Sequence, residues 1–141
     1  MRLWITGALI AFCLGSTLDA SERSVQRLVS MEYPDLAIQA RMQGEIVVEC
    51  AVDTEGRVTT ARVVRADQAM TNQDRSLLGT AAMENVKQWR FQKGSDPTTV
   101  QVVYRFSLED QPTRRRTTRF VFEFPNTVYV SSQYMSLVKV K

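Results

Sequence analysis

Gly44-Glu45-Ile46-Val47-Val48-Glu49-Cys50-Ala51-Val52-Asp53-Thr54-Glu55-Gly56-Arg57-Val58 is the stretch on which the fold turns. Ile46, Val48, Cys50 and Val52 fall on one side of an extended chain, and Glu45 and Glu49 fall on the other. A period of two is that of a strand with one buried face. Asp53-Thr54-Glu55-Gly56 then reads as a reversal. Asp bonds its own backbone in turns, and Gly supplies the left-handed conformation that other residues avoid. Arg57 to Ala66 returns as a second strand, its alternation blurred where Val63 and Val64 are adjacent. Together they predict a hairpin from Glu45 to about Ala66.

Upstream, Tyr33 to Met42 predicts a short helix. Pro34 suits the first helical position, where its missing N–H costs nothing, and Asp35 complements the dipole. Gly44 is expected to close that helix in a left-handed cap. Ser21 to Glu32 places Val25, Leu28 and Val29 at helical spacing and reads as a short helix or a frayed lead-in. Downstream, Asp67 to Gln73 is a loop in which Thr71 or Asn72 caps the longest helix, Asp74 to Arg90. Leu78, Ala82, Val86 and Trp89 form its apolar stripe, widened by Leu77 and Ala81. Gly79 weakens it by about 1 kcal/mol relative to Ala, or lets it approach a sheet closely.

Thr98 to Leu108 has the cleanest alternation in the chain. Val100, Val102, Tyr104, Phe106 and Leu108 interleave with Gln101, Arg105 and Ser107. A polar run with Arg114-Arg115-Arg116 follows. Two more strand-like segments then come, Arg119 to Phe124 and Thr127 to Lys141, with Pro125-Asn126 as the turn and a break expected at Ser131-Ser132. The predicted architecture is α+β in two layers. An antiparallel sheet of about three strands packs against a long helix, with a short N-terminal helix and an extra C-terminal β-hairpin.

The chain has 141 residues, enough for one ordinary domain. Lys plus Arg number 18 and Asp plus Glu 15, so the net charge of +3 is no nucleic-acid footprint. Histidine is absent from the sequence, which excludes His-ligated zinc, Ser-His-Asp triads and Cys-His dyads. Cys50 sits mid-strand on an apolar face and reads as an inert core thiol. Asp53 and Glu55 are explained by chain reversal, and their segment supplies too few oxygens for calcium. No catalytic residue, metal or cofactor is expected, and the chain does not read as an enzyme.

Met1-Arg2 begins a positive start, and Leu3 to Leu14 is apolar apart from Thr6. As a helix that run measures roughly 18 Å, too short for a hydrocarbon core of about 30 Å, so no membrane span is expected. Its length suits a signal peptide cut after Ala20. Cys50 alone would remain, which leaves no intramolecular disulfide.

Five fragments, in order, resemble one family. They are Tyr33-Pro34, Gly44-Glu45-Ile46-Val47, Val52 to Val58, Val86-Lys87-Gln88-Trp89-Arg90-Phe91, and the strand Val100 to Leu108. Together they are similar to the C-terminal domain of TonB, the periplasmic energy transducer. On this reading residues 1–20 are a signal peptide, 21–32 a lead-in, 33–109 the TonB C-terminal-like domain and 110–141 a hairpin extension. Tyr33, Pro34, Gly44, Asp53, Gly56, Trp89 and Phe91 have fold-keeping roles. The resemblance implies a module that captures an extended peptide of an outer-membrane TonB-dependent receptor by β-strand addition to its last strand. The binding edge is then Val100, Gln101, Val102, Val103, Tyr104, Arg105 and Phe106, acting through the backbone.

The chain also departs from the family. It shows no spanning helix, no coupling histidine and no proline-rich linker between Ser21 and Glu32, and Gln92 stands where a proline usually follows the Arg-Phe pair. It therefore reads as a stand-alone form that cannot transduce force by itself. The second reading is an envelope-associated protein that keeps the fold without energy coupling, Arg114 to Arg116 and Arg119 then touching an anionic surface. Two questions stay open at this level. One is whether the terminal hairpin covers the binding edge, and the other is whether the domain forms a homodimer.

Overall fold

The structure is a computed structural model and describes residues 23–110 and 117–134. Its centre is the hairpin of β2 (Gly44–Val52) and β3 (Val58–Ala66). Asp53 Oδ1 accepts the Glu55 and Arg57 N–H groups at 3.0 and 2.8 Å, and the Gly56 N–H reaches Asp53 O at 3.1 Å. Gly56 adopts φ 84°, as the turn requires. The pairing slips between Val47 and Val48 and again between Ala51 and Val52.

α1 (Asp35–Gln39) and α2 (Asn72–Val86) form the second layer. Thr71 is the cap of α2, its hydroxyl accepting the Asp74 N–H at 3.1 Å. The helix thus starts two residues before Asp74 and ends before Trp89, which lies just beyond its last turn. A Cβ on Gly79 would come within 2.9 Å of Val63 Cγ2, so this glycine marks the close approach of α2 to β3. α1 is not closed by Gly44. The left-handed residue after it is Arg41, φ 52°, and Gly44 already belongs to β2. The lead-in holds a strand rather than a helix. β1 (Val25–Arg27) pairs antiparallel with β4 (Arg90–Phe91) in a separate two-stranded sheet.

The sheet itself departs most from expectation. It has five strands, not about three, and it is mixed, not antiparallel. Its order is β3-β2-β5-β7-β6, with β5 at Thr98–Asp110, β6 at Arg119–Glu123 and β7 at Thr127–Tyr134. Strands dominate the described residues, and the helices have only five and fifteen residues, so a long helix on a three-stranded sheet does not describe it. β5 is antiparallel to β2, pairing Thr98 with Val52 and Phe106 with Gly44. β7 is parallel to β5, Val103 facing Thr127 and Asp110 facing Tyr134. β6 takes the outer place, antiparallel to β7.

The reason lies in what periodicity reports. Alternation says which side chains share a face, not which strand is the neighbour. β7 also runs unbroken through Ser131 and Ser132, with Ser132 on the buried face. The core between sheet and helices gathers Ile46, Val48, Cys50 and Val52 with Val102, Tyr104 and Phe106. It continues into Val128 and Val130 of β7, both fully buried, and closes on Leu78, Ala82, Val86, Trp89 and Phe91. The signal-peptide expectation (1–20), Arg114 to Arg116 and Met135 to Lys141 lie outside the described residues.

Candidate functional site

Tyr104, Trp89 and the Val29 carbonyl meet at the buried Asn85. Its Oδ1 accepts the Tyr104 hydroxyl at 2.8 Å and the Trp89 indole N–H at 3.1 Å, while its Nδ2 donates to Val29 O at 2.8 Å. Every bonding direction in use is structural: the node ties the lead-in to α2 and β5. Buried polar groups survive when satisfied in this way. Asn85 was missed at the level of sequence, although it stands four residues before Trp89, inside the apolar stripe. A polar residue on a buried face is the signal that would have found it.

The residues given fold-keeping roles converge in two places. The Phe91 N–H donates to Gly56 O at 2.8 Å, and a Cβ on Gly56 would fall 1.9 Å from Phe91 O, so the turn and the Trp-Arg-Phe segment press backbone to backbone. Asp53 holds that turn, and its carbonyl accepts the Arg23 guanidinium. At the other end Tyr33 meets Phe106 edge-on, ring centres 5.6 Å apart, and its hydroxyl donates to Met42 O. Pro34 precedes α1 in an extended conformation, ψ 132°. Gly44 lies beneath Met70, whose Cε would be 2.5 Å from a Cβ there.

None of these groups is poised to react. Burial, and then the Glu49 charge, push the Cys50 thiol up to about 12, so it stays protonated at neutral pH. Burial also pushes the Tyr33 and Tyr104 phenols up. Among the described residues no three Cys, Asp or Glu side chains gather as a metal site. An open apolar groove of about 790 Å³ lies between α1 and α2, lined by Leu36, Met42, Leu77 and Ala81.

The chemistry on offer is that of the sheet margins. The seven residues from Val100 to Phe106 do not form a margin. Along one side they pair with β2. On the other, Val103 to Phe106 pair with β7, the Val103 N–H donates to Asn126 O at 2.9 Å, and Asn126 Nδ2 donates to Gln101 O at 2.9 Å. The terminal hairpin therefore covers the edge that the resemblance singles out, because its parallel strand meets the free backbone groups of β5. Two other strands stand at the margins of the sheet, β3 and β6.

β3 is nine residues long and broken in register at two places. Its Arg62 bonds Glu49 at 2.8 Å and its Arg65 lies 3.8 Å from Glu45. Bulges and charges are how edge strands resist further pairing. β6 has neither slip nor bulge: all five residues pair in step with β7. Phe120 and Phe122 turn inward, Phe122 edge-on to Trp89 with ring centres 6.0 Å apart. Val121 is 44% exposed on the opposite face, and Phe124, in the turn beyond, is 75% exposed. On the open face Arg105 of β5 lies over the Tyr129 ring at 5.7 Å. The Tyr129 hydroxyl bonds the Glu123 carboxylate, which raises its pKa, and Arg105 works weakly against that.

Fold and margins together define a helix-backed sheet module with a structural polar node at Asn85 and, at one of its two margins, the regular strand β6. The family model of the Gram-negative bacterial TonB protein C-terminal matches residues 29–108, and the chain belongs to that family. It is similar to proteins named "Protein TonB" from two strains of Xanthomonas campestris pv. campestris, 31% identical over 78 residues. The match takes in 55% of this chain and 31% of each relative, so the chain spans about a third of their length. β6 and β7 lie beyond the family match. Among the described residues no helix is long and apolar enough to cross a membrane.

Proposed function

We propose that the chain is an exported, periplasmic protein-binding module of the TonB type. It serves TonB-dependent transport by receiving an extended segment of an outer-membrane receptor as an added strand, without an enzymatic step. The observation that carries this reading is the pair of sheet margins in a member of this family. The side of β5 open to addition in the expected three-stranded sheet is filled by β7. β3 has the slips and charges of a protected edge, whereas β6 offers an unbroken row of backbone donors and acceptors beside Val121. The receptor segment then joins at β6, where main-chain hydrogen bonds supply the binding and alternate side chains the selectivity.

The test is a residue-resolved NMR titration with extended peptides from outer-membrane TonB-dependent receptors. Amide signals of Arg119 to Glu123 are expected to shift and gain protection from exchange, with Val58 to Ala66 unchanged. Shifts confined to β3, or none with any such peptide, would overturn the reading.

A further inference from the structure

β6 reads Arg119-Phe120-Val121-Phe122-Glu123. The order is self-complementary in chemistry: cation, aromatic, aliphatic, aromatic, anion. Antiparallel pairing with a second copy of the same strand, centred on Val121, sets Arg119 opposite the partner copy's Glu123 at both ends. It sets Phe120 opposite Phe122 twice and Val121 opposite itself. Opposed charges and aromatic pairs are what stabilise neighbouring antiparallel strands. A two-fold axis needs a surface complementary to itself, and this strand is one.

The surroundings agree with that match. Burial alternates along β6, with Arg119, Val121 and Glu123 exposed and Phe120 and Phe122 half-buried. The charges would therefore meet on the open face and the rings on the helical side. The same register brings Phe124 of each copy beside Thr118 of the other. Val121 and Phe124 are two of the five large apolar side chains left exposed among the described residues. β3, the other margin, slips in register at two places and has no such symmetry.

We propose that β6 is the interface of a homodimer, in which two five-stranded sheets join edge to edge about Val121. This rests on the reading of β6 as an edge open to strand addition. It adds that the receptor segment and a second copy compete for that edge, so that self-association regulates capture.

The experiment is sedimentation equilibrium of the protein alone, from about 1 μM to about 1 mM, a range that spans the affinities of weak to moderate complexes. Wild type is expected to show a monomer–dimer equilibrium. Arg119→Glu places two carboxylates opposite one another, and Glu123→Arg two cations. Each single variant is expected to raise the dimer dissociation constant roughly tenfold or more. The double variant Arg119→Glu/Glu123→Arg restores it, and the two single variants mixed together associate with each other. That rescue cannot come from a loss of folding. A wild type that stays monomeric throughout, or single variants that dimerise like wild type, overturns the dimer. No peptide is present, so failure here leaves the receptor reading standing, and failure of every peptide to bind leaves the dimer standing.

Discussion

The β3–β2–β5 half of the sheet and the β7–β6 half are built by different rules. The first is antiparallel throughout, and its hairpin turns tightly at Asp53 to Gly56. Its open face is laced by Arg62 with Glu49 and by Arg65 and Arg105 with Glu45. The second joins it in parallel, lies outside the family match, and is held through apolar side chains, with Val128 and Val130 fully buried. The contrast teaches that the hydrophobic core does not stop at the family boundary. A ribbon lying past the shared region supplies two strands of the same sheet, so the free edge on that side is β6 and not β5.

The largest effect should come from the first half. Gly56→Val puts a branched side chain on a residue at φ 84° whose Cβ position lies 1.9 Å from Phe91 O. A loss of more than about 3 kcal/mol, seen as collapse of the cooperative urea transition, is expected. A wild-type midpoint would mean that the turn does not press on Phe91. Next comes the comparison itself. Val130→Ala should cost about 2 kcal/mol, close to Val48→Ala in β2, since both side chains are fully buried. A near-zero cost for Val130 alone would make the β6–β7 ribbon a separate flap.

A smaller effect is read on the pH axis. The native Cys50 thiol titrates at about 12 against an ordinary 9.0. Below pH 9 both folded and unfolded thiols are protonated and its contribution is fully present. Between pH 9 and about 12 only the unfolded thiol ionises, so stability falls as pH rises. Cys50→Ala should flatten that decline in part, the rest belonging to Tyr33 and Tyr104, whose raised phenols act in the same direction. An unchanged slope in thermal melts across this range would show that Cys50 is not buried. The smallest effect is Arg62→Ala. It removes an exposed ion pair of 2.8 Å and should change stability by less than about 1 kcal/mol in denaturant titration. A larger change would mean that surface charge, more than the core, holds the first half together.

Much of the first half was legible because its signals are local. The alternation from Ile46 to Val52, the Asp53 and Gly56 turn and the cap at Thr71 each involve residues within a few positions of one another. The family resemblance shares the strand and the turn, and adds Tyr33-Pro34, Val86 to Phe91 and Val100 to Leu108. What was illegible depended on distant partners. β1 reads as a lead-in until Phe91 is there to pair with Val25. Asn85 has no role until Tyr104, Trp89 and Val29 are there to bond it. The edge assigned to Val100 through Phe106 looked free because nothing in that strand reveals that Thr127 to Tyr134 will lie alongside it.

Taken alone, the amino-acid order determined which side chains β2 and β5 bury and where the central hairpin turns. Each of these follows from residue type and short-range periodicity. Only the tertiary structure decided the strand order, the parallel join and therefore which backbone edge faces water. An extended segment offers hydrogen bonds on both sides alike, and its neighbour is chosen by the burial of Val128, Val130 and Phe122 against a core that forms only once the whole chain is folded.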